Sequence, residues 1–98
     1  MIITKKQDGT ELSIALEGRL DTMTSPELEE ELRKSLDGVT KLTFDFSKLD
    51  YISSAGLRVL LSAHKTMSSQ GQMAVTHVNE VVQEVFEVTG FTDILTIE

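Results

Sequence analysis

The spacing of apolar residues switches repeatedly between two periods along this chain, and that switching limits the folds available to it. Residues 12–17 alternate apolar and polar side chains, which is typical of a strand buried on one face. Between residues 28 and 36 leucine recurs at every fourth position, as in an amphipathic helix. Asp8-Gly9, between residues 2–7 and the alternating run, favours a tight hairpin because both residues tolerate a positive φ. The chain therefore begins with two paired strands and a helix.

The remainder continues in the same manner. The predicted elements are a strand at 42–46, a helix at 54–67, a strand at 73–75 and a helix from Asn79 to Gly90. The tail, residues 91–97, fits either a last strand or a short helical turn. This order predicts the α/β class. We expect one domain over residues 1–98, with a mixed sheet of four to five strands (β-β-α-β-α-β-α plus the tail) and helices packed on it.

Several boundaries follow from local signals. Gly18 is expected to close the second strand, and Gly38 to end the first helix. The start of that helix fits two patterns, a capping box of Thr24 with Glu27 or a Ser25 cap followed by Pro26. The glutamates between residues 27 and 31 are interpreted as a solvated face near a helix N-terminus rather than as a metal or partner site, because negative charge is favourable there.

Charge and composition exclude several classes of function. The 98 residues hold 9 Lys and Arg against 16 Asp and Glu, a net charge of −7, and there is no cysteine. Disulfides and thiolate metal sites are therefore excluded, and binding to nucleic acid or to an anionic membrane is disfavoured. No apolar run approaches the ~20 residues that span a bilayer, and the first residues do not resemble a signal peptide. We expect a cytoplasmic domain.

The usual signatures of catalysis are missing. His64 and His77 have no partner at metal-ligand spacing, and the chain contains neither a glycine-rich phosphate loop nor a G-x-S-x-G elbow. Asp45 and Asp50 flank the end of a predicted strand, but the sequence supplies no pocket that would make them an acid and base pair. We therefore expect no enzyme activity, no metal and no cofactor.

The segment from Tyr51 to Arg58 stands out because two serines and two small residues lie where a strand passes into a helix. A structural interpretation makes Ser53 or Ser54 an N-cap that accepts a backbone N–H. The same position suits phosphorylation, because a phosphate there would face free helix N–H groups and the positive end of the dipole.

The chain resembles the STAS domain family, and in particular the stand-alone anti-sigma factor antagonists of bacteria. The residues that carry this resemblance are Gly18-Arg19-Leu20-Asp21, Leu42-Thr43-Phe44-Asp45-Phe46, Leu49-Asp50-Tyr51-Ile52-Ser53-Ser54-Ala55-Gly56-Leu57 and Val88-Thr89-Gly90-Phe91. The family carries Asp-Ser-x-Gly in the central block, so matching its glycine to Gly56 places the phosphorylated serine at Ser54. Ser53 stands where aspartate is usual and is a second, less favoured acceptor. Arg58 stands where glycine is common.

The resemblance implies a binding protein that acts as a switch. The unphosphorylated form would bind an anti-sigma factor that is a serine kinase, which frees a sigma factor. Phosphorylation of Ser54 would end this binding, and a PP2C-type phosphatase would restore it. The implied partner-binding residues are Asp21, Thr22, Ser53, Ser54, Ala55, Gly56, Leu57 and Arg58. As an alternative, Asp21 is a simple turn residue.

Two other functions stay open from the sequence. One is a STAS module of another complex, such as a lipid-transport ATPase or a signalling scaffold, that does not use a phosphorylation switch. The other is an enzyme or a small-ligand binder, for instance a nucleotide binder.

Overall fold

Five strands form one mixed sheet in the spatial order β1-β2-β3-β4-β5 in the computed structural model, which describes residues 1–98. The strands are β1 (Ile2–Asp8), β2 (Glu11–Leu20), β3 (Lys41–Ile52), β4 (Gln72–Thr76) and β5 (Thr96–Ile97). The helices are α1 (Ser25–Ser35), α2 (Ser54–Ser68) and α3 (Glu80–Thr89), and Phe91–Asp93 forms a 3-10 turn. β1 is antiparallel to β2, and all other neighbouring strands are parallel. The α/β class and the predicted order are confirmed, and the tail contains both a helical turn and a strand.

The core lies on one face of this sheet. Leu12 and Ile14 of β2 and Phe44 of β3 join the buried sides of all three helices in a single apolar cluster. Ser13 and Thr43, which alternate with these residues, lie on the opposite face and are exposed or half-buried. The helices therefore cover one face and leave the other to solvent.

β2 and β3 run further than the apolar alternation predicts. The prediction that Gly18 closes β2 is wrong, because β2 continues to Leu20 and pairs with β3 as far as Ile52. The pairing register shifts between Ala15 and Glu17 and again after Gly18, whose φ of 107° suits glycine. Because the irregularities absorb extra residues, the two parallel strands end side by side.

The start of α1 uses neither predicted cap. Thr24 is the N-cap residue by position, but its hydroxyl makes no capping bond to the helix. It donates instead to the carbonyl of Arg19 at 2.7 Å and accepts from the amide of Asp21 at 2.9 Å. Because the Thr24 hydroxyl is bonded to the preceding loop, it does not form the capping box. Pro26 lies in the first turn of α1. The helix ends at Ser35, a few residues before Gly38.

Three of the four glutamates of α1 lie close to a cation. Glu31 pairs with Lys5 of β1 at 2.7 Å, and Arg33 lies 2.7 Å from Glu30 and 3.7 Å from Glu29. These contacts support the interpretation of the run as a solvated helix face.

Candidate functional site

The carboxyl ends of β2 and β3 bring the predicted site residues together. Because these strands are parallel, both chains leave the sheet at the same edge. The amide of Ser53 donates to the carbonyl of Leu20 at 2.9 Å, which joins the two exits directly. Thr22, Ala55 and Arg58 line one small pocket of about 170 Å³ between the starts of α1 and α2. The loop after β2 and the first turn of α2 therefore form one surface, which we call the strand-end surface (residues 21–24 and 53–58).

Ser53 is the N-cap of α2. Its backbone is extended, and its Oγ accepts a hydrogen bond from the amide of Gly56 at 3.4 Å. The side chain is half-buried. The structural interpretation of the two serines thus applies to Ser53, whose hydroxyl satisfies one of the free N–H groups at the helix start.

Ser54 is placed differently. It is the first residue of α2 and is exposed, and its side chain makes no hydrogen bond within the protein. The backbone amides of Ser54 and Ala55 also have no intramolecular acceptor, because the capping bond reaches Gly56 and the next amide bond belongs to Leu57. An anion attached at this position would meet two free N–H donors and the positive end of the helix dipole.

Gly56 allows α2 to lie against the sheet. A Cβ at this position would lie 2.8 Å from Leu20 Cγ, 2.8 Å from Ile52 Cγ1 and 3.0 Å from the Leu20 carbonyl oxygen. Gly56 and Leu57 are both buried, while Ala55 is half-buried. Of the predicted partner-binding residues on α2, Ser54 and Arg58 are the ones exposed to solvent.

Asp21 organises the loop between β2 and α1. Its Oδ1 accepts from the amides of Met23 at 3.0 Å and Thr24 at 3.2 Å, and its Oδ2 lies 3.6 Å from Arg19 Nε. Partial desolvation raises the pKa of Asp21, but the two backbone amides, the Thr24 hydroxyl and the Arg19 charge together hold that pKa below its usual value. The carboxylate is thus ionised at neutral pH and fixes the shape of the loop, in agreement with its interpretation as a turn residue.

Sequence reasoning missed one contact and one exposed side chain in this region. The Arg19 guanidinium lies 4.6 Å from the centroid of the Tyr51 ring, a cation–π contact across the ends of β2 and β3. Met23 is 86% exposed at the tip of the loop, the most exposed large apolar side chain of the chain. An isolated methionine in a loop carries no periodic signal, and the Arg19–Tyr51 pairing depends on a register that only the structure provides.

Two other titratable candidates, Asp45 and His77, lie in the middle of β3 and directly after β4. Asp45 accepts from the Ser47 amide at 2.9 Å and lies 3.4 Å from His77 Nδ1, on the row of β3 that pairs with Thr76. The Ser47 amide, despite some desolvation, is the main reason that the pKa of Asp45 lies below its usual value, and His77 and Lys48 act in the same direction. A carboxylate held ionised in this way is poorly suited to donate a proton.

The structure also bears on metal sites, on larger pockets and on membrane-spanning helices. No group of three or more His, Asp or Glu side chains is arranged to hold a metal ion. A larger groove of about 600 Å³ lies between α1 and α2 and contains none of the predicted site residues. None of the three helices has the length and hydrophobicity needed to cross a bilayer.

Comparison with known sequences identifies the family. The sequence model of the STAS domain matches residues 1–98. The chain belongs to the STAS domain family. This STAS domain is 38% identical over 94 residues to BtrV of Bordetella bronchiseptica, which is named as an anti-sigma factor antagonist; the match covers 94% of this chain and 80% of BtrV. It is 28% identical over 97 residues to the anti-sigma-B factor antagonist of Listeria monocytogenes, covering 96% of this chain and 84% of that protein.

Solved structures share the fold of this STAS domain. The anti-sigma factor antagonist SpoIIAA in its unphosphorylated form superposes with a TM-score of 0.86 at 17% identity, over 99% of this chain and 88% of SpoIIAA. The phosphorylated form of the Bacillus SpoIIAA superposes with a TM-score of 0.77 at 16% identity, over 99% of this chain and 91% of that one.

Proposed function

We propose that this STAS domain is an anti-sigma factor antagonist whose binding is switched by phosphorylation of Ser54. In the unphosphorylated state it binds an anti-sigma factor that is a serine kinase, and the sigma factor held by that protein is released. The kinase phosphorylates Ser54 and the complex dissociates, after which a PP2C-type phosphatase restores the binding state. The domain acts in the cytoplasm as a binding protein, without direct contact to nucleic acid or membrane and without an enzymatic reaction of its own.

The observation that carries this proposal is the different use of the two serines. Ser53 Oγ is engaged as the cap of α2, whereas Ser54 Oγ is exposed and free of hydrogen bonds. A kinase can therefore reach Ser54 without breaking an interaction of the folded state. The free amides of Ser54 and Ala55 allow the helix start to carry the new charge. The names of BtrV and of the Listeria relative, and the existence of a phosphorylated form of SpoIIAA, support the same conclusion.

Ser53, which replaces the aspartate of the family's Asp-Ser-x-Gly pattern, can fill the same structural role. Serine and aspartate are both favoured N-caps, so the substitution preserves the start of α2. A serine at this position places no carboxylate beside the phosphate, which removes a like-charge repulsion. We therefore regard Ser53 as compatible with phosphorylation of its neighbour.

The strand-end surface supplies the contact that phosphorylation would disturb. Met23 offers an exposed apolar side chain beside Thr22, and Ser54 and Arg58 extend the same surface onto α2. A phosphoryl group would add about −1.5 to −2 charges there at neutral pH. A close-packed partner would have to desolvate this charge, and this cost explains how one modification could end binding.

A comparison of three proteins as baits in lysate of the source cell tests the proposal: the wild type, Ser54→Asp and Ser13→Asp. Ser13 is an exposed serine on the open face of β2, so its substitution makes the same charge change outside the strand-end surface. We expect the wild type and Ser13→Asp to capture an ATP-binding anti-sigma kinase and Ser54→Asp to lose it. Circular dichroism should show equal folding of the three.

Two outcomes would contradict a switch by phosphorylation of Ser54. If all three baits capture the same complex without a kinase, the domain is a STAS module of another assembly. If the purified kinase and ATP leave Ser54 unmodified in a mass spectrum of the domain, phosphorylation is not the regulating event.

A further inference from the structure

Arg58 is an exposed cation that the structure leaves without an ion pair. The ion pairs of the protein use Lys5, Arg19, Arg33 and His77, and Arg58 takes part in none of them. It lies four residues after Ser54 on α2. Residues four apart face the same side of a helix, so the two side chains are neighbours on its surface.

The pocket beside Arg58 contains a second unpaired polar group. Ser25, in the first turn of α1, is 4% exposed, and its Oγ is the buried side-chain oxygen or nitrogen that finds no hydrogen-bond partner. Ser25 and Arg58 line the pocket of about 170 Å³ between the two helix starts. A buried hydroxyl without a partner is costly, and one that faces a pocket is a donor available to a group that enters.

Arg58 is the charged side chain of the pocket lining that has no ion pair. The charged side chains that line it are Arg58 and Glu29. The Glu29 carboxylate lies 3.7 Å from Arg33, which partly neutralises it. The amides of Ser54 and Ala55 add two unpaired donors at the adjoining start of α2.

We propose that Arg58, at the edge of this pocket, is the intramolecular receptor for the phosphoryl group of phosphorylated Ser54, whose neighbour Ala55 lines the pocket; the inference rests on the proposed modification of Ser54. Arg58 can form two parallel hydrogen bonds to a phosphate, whereas a lysine acts as a point charge. The unmodified domain presents Arg58 to its partner. Phosphorylation draws the guanidinium onto the phosphate, so the modification both adds negative charge and removes a cation from the strand-end surface.

The test uses phosphoserine installed at position 54 during translation, so it needs no kinase. The titration of the phosphate is followed by ³¹P NMR in the wild-type background, in Arg58→Gln and in Lys65→Gln. Lys65 is an exposed cation further along the same helix that makes no ion pair. Its substitution by glutamine removes one positive charge, as Arg58→Gln does. Circular dichroism confirms the fold of each protein.

We expect the titration midpoint to lie about 0.3 pH units higher in Arg58→Gln than in the wild type, since a nearby cation favours the dianion. Lys65→Gln should leave the midpoint unchanged. Equal midpoints in all three proteins, or equal shifts in the two variants, would overturn the receptor. Because the phosphate is installed without a kinase, this result is independent of whether a kinase modifies Ser54, which the bait and mass-spectrometry experiment decides separately.

Discussion

The amide of Ser53 donates to the carbonyl of Leu20 at 2.9 Å, and this bond joins the end of β2 to the start of α2. The bond lies between the loop that Asp21 organises and the turn that exposes Ser54. A change at either segment therefore acts on one connected surface.

Substitution of Gly56 by alanine should displace α2. The new Cβ would come within 3.0 Å of the Leu20 backbone carbonyl, which cannot move as a side chain can. We expect the free energy of unfolding to fall by about 1–3 kcal/mol. Urea denaturation measures this, and amide chemical shifts at residues 20–22 should change. Gly9→Ala is the matched glycine control, because its Cβ meets nothing within 4 Å and its cost comes from φ alone. Equal shifts at residues 20–22 in both variants would contradict the close approach.

Substitutions of Ser53 and of Ser54 should have different effects on the free energy of unfolding. Ser53→Ala removes the cap of α2 and should lower the free energy of unfolding by about 1 kcal/mol, whereas Ser53→Asp should retain most of it. Ser54→Ala should change it by less than about 0.5 kcal/mol, because the hydroxyl is exposed and unbonded. Urea denaturation of the three variants provides the comparison. A larger loss in Ser54→Ala than in Ser53→Ala would reverse the assignment.

The ionised form of Asp21 should stabilise the fold in a pH-dependent manner. Its pKa in the folded protein lies below the ordinary value of 3.8, so its contribution is present above that value and is lost as the pH falls through the lower, folded pKa. We expect Asp21→Asn to be less stable than the wild type at pH 7 and the difference to shrink toward pH 3. Thermal unfolding across this range tests it, with the exposed Asp50→Asn as control. A difference that persists unchanged at pH 3 would assign the effect to hydrogen bonding alone.

Removing the unpaired hydroxyl of Ser25 should stabilise the unmodified domain. Ser25→Ala keeps the shape of the site and eliminates a buried oxygen without a partner. The expected gain in the free energy of unfolding is about 1 kcal/mol. Ser62→Ala, at an exposed position on α2, serves as the control in the same urea denaturation. A loss of stability in Ser25→Ala would show that the hydroxyl has a partner in solution.

Met23 should contribute to partner binding and little to stability. It is 86% exposed, so Met23→Ser should leave thermal unfolding unchanged and weaken binding to the captured partner about tenfold. Calorimetric titration with that partner measures the change. Val88→Ser provides the comparison, since Val88 is 77% exposed but lies on α3. Equal weakening by both variants would locate the contact elsewhere.

The order of the helices and strands can be predicted from the sequence because the buried residues of each element recur with the period of that element. It fails where the period breaks within an element: Ser47 and Lys48 are both exposed inside β3, so alternation is lost although the strand continues to Ile52. The capping box also fails, because it depends on what else Thr24 can reach. The position of Ser54 at the start of α2 follows from the sequence motif. Met23 does not, because its exposure is a property of the assembled loop.

The two edges of the sheet have a consequence for the behaviour of the protein at high concentration. An unpaired strand is a template for other chains, and such pairing leads to aggregation. One edge here is β5, which has only two residues, and the other is β1, which carries Lys5 and Lys6. The short length of β5 protects the first edge, and the lysine side chains of β1 protect the second. The sheet therefore offers further chains little exposed strand on which to add, and we expect the domain to resist strand-to-strand aggregation as its concentration rises.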